Sequence, residues 1–349
     1  MKVVAIVPAY NEADELPQAV AALQNQTRPP DRIIVALNNA KPGMVEAARE
    51  TGADVFDLGH CPGHKGEALN RVLRHLLVKL DSQDVILVQD ADSYLDPTFI
   101  ECGLRNYGPG IGGVGGVFRG RIESRGFSRL LEFFQANEYA RYELDIRRQR
   151  GRVLVLTGTA TLLRVEILRE VIAARLDGRL PAGTGQVYDL KVLTEDNELS
   201  FALMHLGYKL RSPQGCTLTT ETMPTLRMLA NQRLRWKRGA LENLFDYGLT
   251  SHTKGYWLRQ VIAIVGLLVT GAYIGTLMYG FFFGITLHMF WLGVTALFAL
   301  ERVITVRRRG VGAMAVAGVV IVEFFYDLFL QGVQAKAFAD AALGRERRW

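Results

Sequence analysis

Through the first two-thirds of the chain, short runs of consecutive apolar residues alternate with longer amphipathic stretches. The runs at Val3–Val7, Arg32–Leu37, Val85–Gln89, Gly113–Phe118 and Val153–Thr157 read as strands. A strand covered on both faces loses the apolar–polar alternation of a half-buried one. Between them, Glu15–Gln24, Met44–Thr51, Gly66–Leu80 and Phe127–Arg148 repeat apolar residues at helical spacing, and Leu199–Leu206 adds an apolar helix. Strands and helices in alternation predict an α/β fold with a mostly parallel sheet flanked by helices. Ligands on such a sheet collect beyond the carboxyl ends of its strands.

The pattern changes near residue 257. From Gln260 to Leu300, 41 residues pass without Asp, Glu, Lys or Arg. As one helix that stretch would be about 60 Å long, roughly twice the thickness of a bilayer core. Two membrane helices are therefore expected, at 257–279 and 283–303, with the turn near "YGFFFG". A buried helical hairpin is the soluble alternative. A third apolar segment, Val311–Val333, contains Glu323 and Asp327, which share a helix face and are costly at a bilayer centre. They point to a protein interface, or to a helix lying at the membrane surface. Arg302 and Arg307–Arg309 flank the loop before it and favour a cytoplasmic placement. The arginines of the tail "GRERRW" conflict with a third full crossing, so a re-entrant or interfacial segment stays open.

These readings give three regions. Residues 1–245 form the α/β domain, expected in the cytoplasm, and 246–335 form interfacial and transmembrane helices, two or three in number. A basic tail covers 336–349. The opening "MKVVAIVPAYNE" is too short for a signal-peptide core and reads as a first strand. A multi-pass protein of the cell membrane is the expectation.

Composition narrows the function. The chain has 349 residues and a formal charge of +6. Its basic clusters stand beside apolar segments or anion-binding motifs, without a nucleic-acid module, so nucleic acid is not an expected partner. Cys61, Cys102 and Cys216 form no CxxC pair, which fits a reducing setting. His60, Cys61 and His64 lie close together, but no second ligand pair at zinc spacing follows.

The chemistry centres on "ILVQDADSYLDP" (86–97), where a strand ends in two carboxylates. On an extended chain Asp90 and Asp92 point the same way. Such a pair suits Mg²⁺ or Mn²⁺ shared with a substrate diphosphate. A turn with Asp as a helix cap is the plain alternative. In "HKGEALN" (64–70), a lysine on a glycine loop enters a helix, a favourable place for an anion. "TED" (194–196) precedes an apolar helix and could equally be a capping motif. "QRLRWKRG" (232–239) could be a basic helix touching anionic lipid, a role suggested above all for Arg233, Lys237 and Arg238. The glycine run "GIGGVGGVFRG" (110–120) lacks a following GK[ST]. It reads as a strand closely approached by other backbone.

In the order "VPAYNE" (7–12), "HKGEALN", "DAD", "TED" and "QRLRW", these motifs resemble the family 2 inverting glycosyltransferases. More specifically they resemble the branch that includes cellulose, chitin and hyaluronan synthases. The resemblance covers about residues 1–245 and implies a GT-A fold and a nucleotide-diphosphate sugar donor, with a UDP-sugar expected. It implies Mg²⁺ or Mn²⁺ on Asp92 and Asp90, and a catalytic carboxylate at Asp196, with Glu195 beside it, acting as base on the acceptor hydroxyl. Pro8, Tyr10, Glu12, Asn38, Lys65, Asp90, Gln232 and Arg235 match positions on the nucleotide-sugar side. Gly158, in "TGTATLLR" (157–164), and Trp236 match the acceptor side. Asn38 and Asn39 stand where the family often has aspartates that contact the base, which leaves base identity open. A polysaccharide acceptor is the main expectation, with the lipid bilayer as partner. Two or three helices do not enclose a polymer channel, unless a homo-oligomer forms. Transfer of one sugar to a lipid such as a polyprenyl phosphate is therefore the alternative, and a non-catalytic, membrane-tethered nucleotide-binding protein is a reading of another class.

Overall fold

The computed structural model describes residues 1–10, 12–62, 64–181, 184–284 and 289–345. Asn11 of the first motif, residues 285–288 and the last arginines of the tail lie outside the described residues, whereas the turn expected near "YGFFFG" (279–284) falls on residues that are helical through Phe283. The chain divides into two compact units, one of 1–122 with 145–222 and the other of 123–144 with 223–349.

In the first unit the elements run β1 (Val3–Ala9), α1 (Leu16–Gln24), β2 (Arg32–Leu37), α2 (Met44–Glu50), β3 (Asp54–Asp57), α3 (His64–Leu76), β4 (Val85–Gln89), β5 (Tyr94–Leu95), α4 (Phe99–Arg105), β6 (Ile111–Gly115) and β7 (Val117–Gly120). Helix α5 (Gly126–Arg148) belongs mostly to the second unit. The first unit resumes with β8 (Arg152–Val153), β9 (Ala160–Arg164), α6 (Val165–Leu176), α7 (Glu195–His205), β10 (Lys209–Arg211) and β11 (Thr217–Thr220).

Eight strands form one sheet in the order β3-β2-β1-β4-β9-β6-β10-β8. All but β9 and β8 run in the same direction. Every residue of β1 and β4 is buried, as their unbroken apolar runs require. The start of β1 is fastened by two aspartates. The backbone N–H of Lys2 donates to Asp84 at 2.6 Å, and that of Val3 to Asp31 at 2.7 Å. A small second sheet, β5-β11-β7, adjoins the turn after β4.

Several boundaries depart from expectation. The glycine run is two strands, broken at Gly116, where side chains of Leu218 and Phe99 occupy the space a β-carbon would need. The close approach there is by side chains rather than backbone. Of the expected strand at Val153–Thr157, only Val153 lies in a strand, the two-residue β8. The strand that follows, β9, lies antiparallel between β4 and β6.

The second unit contains α5, α8 (Leu226–Tyr247), α9 (Lys254–Phe283), α10 (Met289–Val306), a 3₁₀ turn at Arg307–Arg309, α11 (Val311–Gly318) and α12 (Val320–Ala342). Among the described residues, α9 is long and apolar enough to cross a bilayer. Its 30 residues span about 45 Å. The expected single segment Val311–Val333 is instead two helices bent by 78° at Val319, the geometry of a broken span or a re-entrant loop. Glu323 and Asp327 have found cations. Glu323 accepts from Arg141 at 2.5 Å, Arg302 at 3.2 Å and Asn137 at 2.8 Å, and Asp327 pairs with Arg302.

Candidate active site

The sheet topology explains how distant motifs meet. Parallel β1, β2 and β4 end in Ala9, Leu37 and Gln89, so Tyr10, Asn38 and Asp90 emerge at one edge. Antiparallel β9 starts at that same edge, with Ala160 opposite Gln89. The residues just before it therefore lie against the carboxylate turn, and Asp90 N–H donates to Thr159 O at 2.9 Å.

Lys65, in the first turn of α3, joins the parts. Its Nζ lies 2.5 Å from Asp90 Oδ1, 3.2 Å from Gly158 O and 3.6 Å from Glu195 Oε1. Burial works against the lysine's charge, but the carboxylates of Asp90, Glu195 and Asp196 hold its proton well above the usual lysine range. Asp90 is pushed up to about 7 by burial and by the charges of Asp92 and Glu195, against the pull of Lys65. Both side chains keep 28% of their surface exposed, so solvent and substrate reach them.

Glu195 and Asp196 open α7. Thr194 stands at the N-cap position with extended backbone, and its side chain makes no capping hydrogen bond. Gly158 faces Asp196 directly, and a β-carbon there would stand 3.0 Å from Asp196 Oδ2. Ser200 Oγ donates to Asp196 O at 2.7 Å and accepts from Leu156 N–H at 2.9 Å. One recess of roughly 350 Å³ is lined by Lys65, Gly158, Glu195 and Asp196 at its polar side and by Leu69, Val88, Leu156 and Tyr188 elsewhere.

Asp90 and Asp92 do not point alike, as an extended chain would have them. The backbone turns after Gln89, with Ser93 N–H donating to Asp90 O at 3.1 Å. Asp90 therefore faces Lys65, while Asp92 Oδ1 accepts from Ser93 Oγ at 2.9 Å. Arg121 secures this turn from outside, donating to Asp92 O at 2.6 Å and lying 4.0 Å over the Tyr94 ring. Neither Ser93 nor Arg121 carries a spacing signal in the sequence. Among the described residues no cluster of three or more His, Cys, Asp or Glu could hold a metal. Two hard carboxylates on one turn still fit Mg²⁺ or Mn²⁺, which usually take the remaining ligands from water and substrate phosphate.

The other nucleotide-side residues sit nearby in the first unit. Pro8 is buried in β1, and Tyr10, about half exposed, donates its backbone N–H to Glu12 at 2.7 Å. Asn38 is buried at the end of β2. Asn39 takes a positive φ of 52° and binds the loop through Cys61 O and His60 Nδ1, at 3.0 and 2.9 Å.

Gln232, Arg235 and Trp236 lie on α8 in the second unit. Arg235 is exposed, and the Trp236 ring carries the Arg233 guanidinium 4.5 Å over it. Arg233 itself corrects the reading of a lipid-facing basic helix. It is 2% exposed, paired with Glu138 at 3.1 Å, and donates to Tyr139 and Gln232. Lys237 donates to Gln334 at 2.6 Å, and Arg238 is buried against Glu242.

A sequence model described as "Glycosyltransferase like family 2" matches residues 2–239. The chain belongs to this family and is a glycosyltransferase with a GT-A fold. It is 25% identical over 283 residues to a poly-beta-1,6-N-acetyl-D-glucosamine synthase of Staphylococcus aureus, a match covering 77% of this chain and 63% of the synthase. It is 26% identical over 252 residues to the probable glycosyltransferase YdaM of Bacillus subtilis, covering 68% of this chain and 55% of that protein. The chain thus spans less than two-thirds of the curated relatives it matches. Among solved structures, the mannosyltransferase PcManGT from Pyrobaculum calidifontis, in complex with GDP-Man and Mn²⁺, superposes with a TM-score of 0.60 at 15% identity, covering 99% of this chain and 88% of its own. That likeness shows the fold.

Proposed function

We propose that this chain is a membrane-bound, inverting, metal-dependent glycosyltransferase that moves a sugar from a nucleoside diphosphate to a growing polysaccharide. The observation that carries the reading is Lys65, which bridges Asp90 and Glu195 in the recess that Asp196 also lines. A carboxylate turn and a second acidic pair, held apart by one lysine, provide a diphosphate side and a base side within one cavity.

In this mechanism Asp196 accepts the proton of the acceptor hydroxyl as its oxygen attacks C1 of the donor sugar. The bond from C1 to the diphosphate oxygen breaks, its electrons leave with the nucleoside diphosphate, and the configuration at C1 inverts. Lys65 offsets charge growing on the leaving group. Asp90 and Asp92 would hold Mg²⁺ or Mn²⁺, which supplies further neutralisation of the diphosphate. Gly158, having no β-carbon, leaves room for a close approach to Asp196. The roles that the family resemblance gives to Pro8, Tyr10, Glu12, Asn38, Gln232, Arg235 and Trp236 stand as part of this proposal.

A second reading, transfer of a single sugar to a lipid acceptor, draws support from the apolar helices. Among the described residues, one long helix and one bent pair are few for enclosing a polymer. The test is incubation of the protein in membranes with radiolabelled UDP- and GDP-sugars, the latter because the mannosyltransferase named above is bound to GDP-Man. High-polymer product is expected, lipid-soluble product would favour the second reading, and no transfer from any donor would overturn both.

A further inference from the structure

We propose that Tyr188 is a substrate-contact residue whose hydroxyl hydrogen-bonds the donor sugar and so helps set which sugar is transferred. The proposal rests on the reading above and names a residue that no motif contains.

Tyr188 sits in the loop that leads into α7 and lines the recess with Lys65, Glu195 and Asp196. Its backbone is fixed from both sides by one side chain. Asn70 Oδ1 accepts from Tyr188 N–H at 2.9 Å, and Asn70 Nδ2 donates to Tyr188 O at 2.8 Å. Asn70 is itself buried and stands on α3, the helix that carries Lys65. The aromatic ring and the lysine are therefore positioned by the same rigid element, which is what a selective site needs.

The hydroxyl carries the argument. Tyr188 as a residue is only 4% exposed, and its hydrogen bonds to described residues are made by its backbone, yet its Oη is not among the sealed side-chain atoms left without a partner, so the hydroxyl meets open space. Buried phenols ordinarily find a partner, because leaving one unpaired costs free energy. Here the polar end borders a recess, so substrate can provide the missing partner.

The walls of the recess suit a sugar. Leu69, Val88, Leu156 and Leu163 line it together with Lys65, Glu195 and Asp196, and Tyr188 feels the charges of Lys65, Glu195, Asp196 and Asp90. Apolar walls with a few convergent polar groups suit a pyranose ring, which has apolar C–H faces and hydroxyl edges.

The test compares wild type and Tyr188→Phe as full-length protein in membranes. The substitution keeps the ring and leaves the Asn70 clamp untouched, since that clamp acts on backbone atoms. The probes are free UDP and GDP, the nucleotide sugar that wild type transfers, and its mono-deoxy analogues. For the intact donor, kcat/KM is expected to fall about tenfold to a hundredfold. Affinity for the free nucleotide should stay unchanged, and one deoxy analogue should be transferred equally by both proteins. Equal transfer of the intact donor, an equal penalty on every analogue, or a parallel loss of nucleotide affinity would each overturn the assignment. Wild type that binds nucleotide but transfers no sugar would instead remove the underlying reading, and Tyr188's role with it.

Discussion

Lys65 Nζ lies 2.5 Å from Asp90 Oδ1, a bond that ties the first turn of α3 to the turn after β4. The lysine is also 3.6 Å from Glu195. One cation thus stands among acids from two motifs 105 positions apart, Asp90 and Glu195. Without it, their mutual repulsion in a partly shielded cleft would drive protons on or the helices apart. With it, the acids stay together and a phosphate has a positive group to meet.

The raised pKa of Asp90 sets a pH dependence. Its folded value of about 7 exceeds the ordinary 3.8. A proton on Asp90 therefore contributes stability that is fully present below the ordinary value and is lost as pH rises through about 7. Asp90→Asn should accordingly flatten the fall in melting temperature between low pH and pH 8, while the loss of the carboxylate beside Lys65 lowers the whole curve. Donor binding with Mn²⁺ needs the ionised form, so it should weaken about tenfold for each unit below pH 7. Isothermal titration of UDP with Mn²⁺ across pH 5.5 to 8 checks this, and a flat profile would count against Asp90 as a ligand.

Asp196→Asn separates binding from chemistry. The amide keeps the size of the carboxylate beside Gly158 but cannot take the acceptor proton. Nucleotide affinity should remain, while turnover falls about a hundredfold to ten-thousandfold. Single-turnover transfer with a saturating donor measures the step, and wild-type turnover in the variant would remove Asp196 from its role as base.

How far the sequence reveals these groups depends on whether the signal is local. Arg32–Leu37 and Val85–Gln89 are strands with the boundaries their apolar runs suggest, because burial of both sheet faces is written into each run. Strand β9 is not legible in this way. Its Ala160–Arg164 looks like a continuation of a polar loop, and its pairing with β4 across 70 or more positions defines it. The same holds at the site. Asp90, Lys65 and Asp196 stand in motifs, whereas Tyr188 owes its position to Asn70, 118 positions away. Arg233 looks like a surface cation until Glu138, 95 positions earlier, is seen to pair with it. An arginine can be buried when its charge is matched, and one stretch of sequence does not show the match.

The clamp on Tyr188 predicts a stability effect at Asn70. Asn70→Ala leaves the backbone N–H and C=O of Tyr188 buried without these partners, at about 1–3 kcal/mol for each unsatisfied group. The variant should unfold at lower urea concentration with an unchanged slope. Asn70→Asp keeps the acceptor but loses the donor, so its loss should be larger than a surface substitution gives. An unchanged midpoint for both variants would show that the clamp contributes nothing.

Glu323 gives the last prediction. Its carboxylate is 3% exposed and is met by Arg141, Arg302 and Asn137, all within the second unit. A carboxylate in an apolar helix is costly alone, but three donors offset much of that cost. Removing it takes the carboxylate from Arg141 and leaves Arg302 with Asp327 alone, at a cost of about 3–5 kcal/mol. Glu323→Ala should therefore lower the thermal midpoint in detergent sharply. Arg302→Ala leaves Arg141 and Asn137 on Glu323 but takes from Asp327 the cation it pairs with, so it should also lower the midpoint. The double variant should cost less than the sum of the two, because the ion pair between Glu323 and Arg302 is lost in each single variant and is counted twice in the sum. Strictly additive losses would mean that Glu323 and Arg302 act independently and that the pair does not hold α10 to α12.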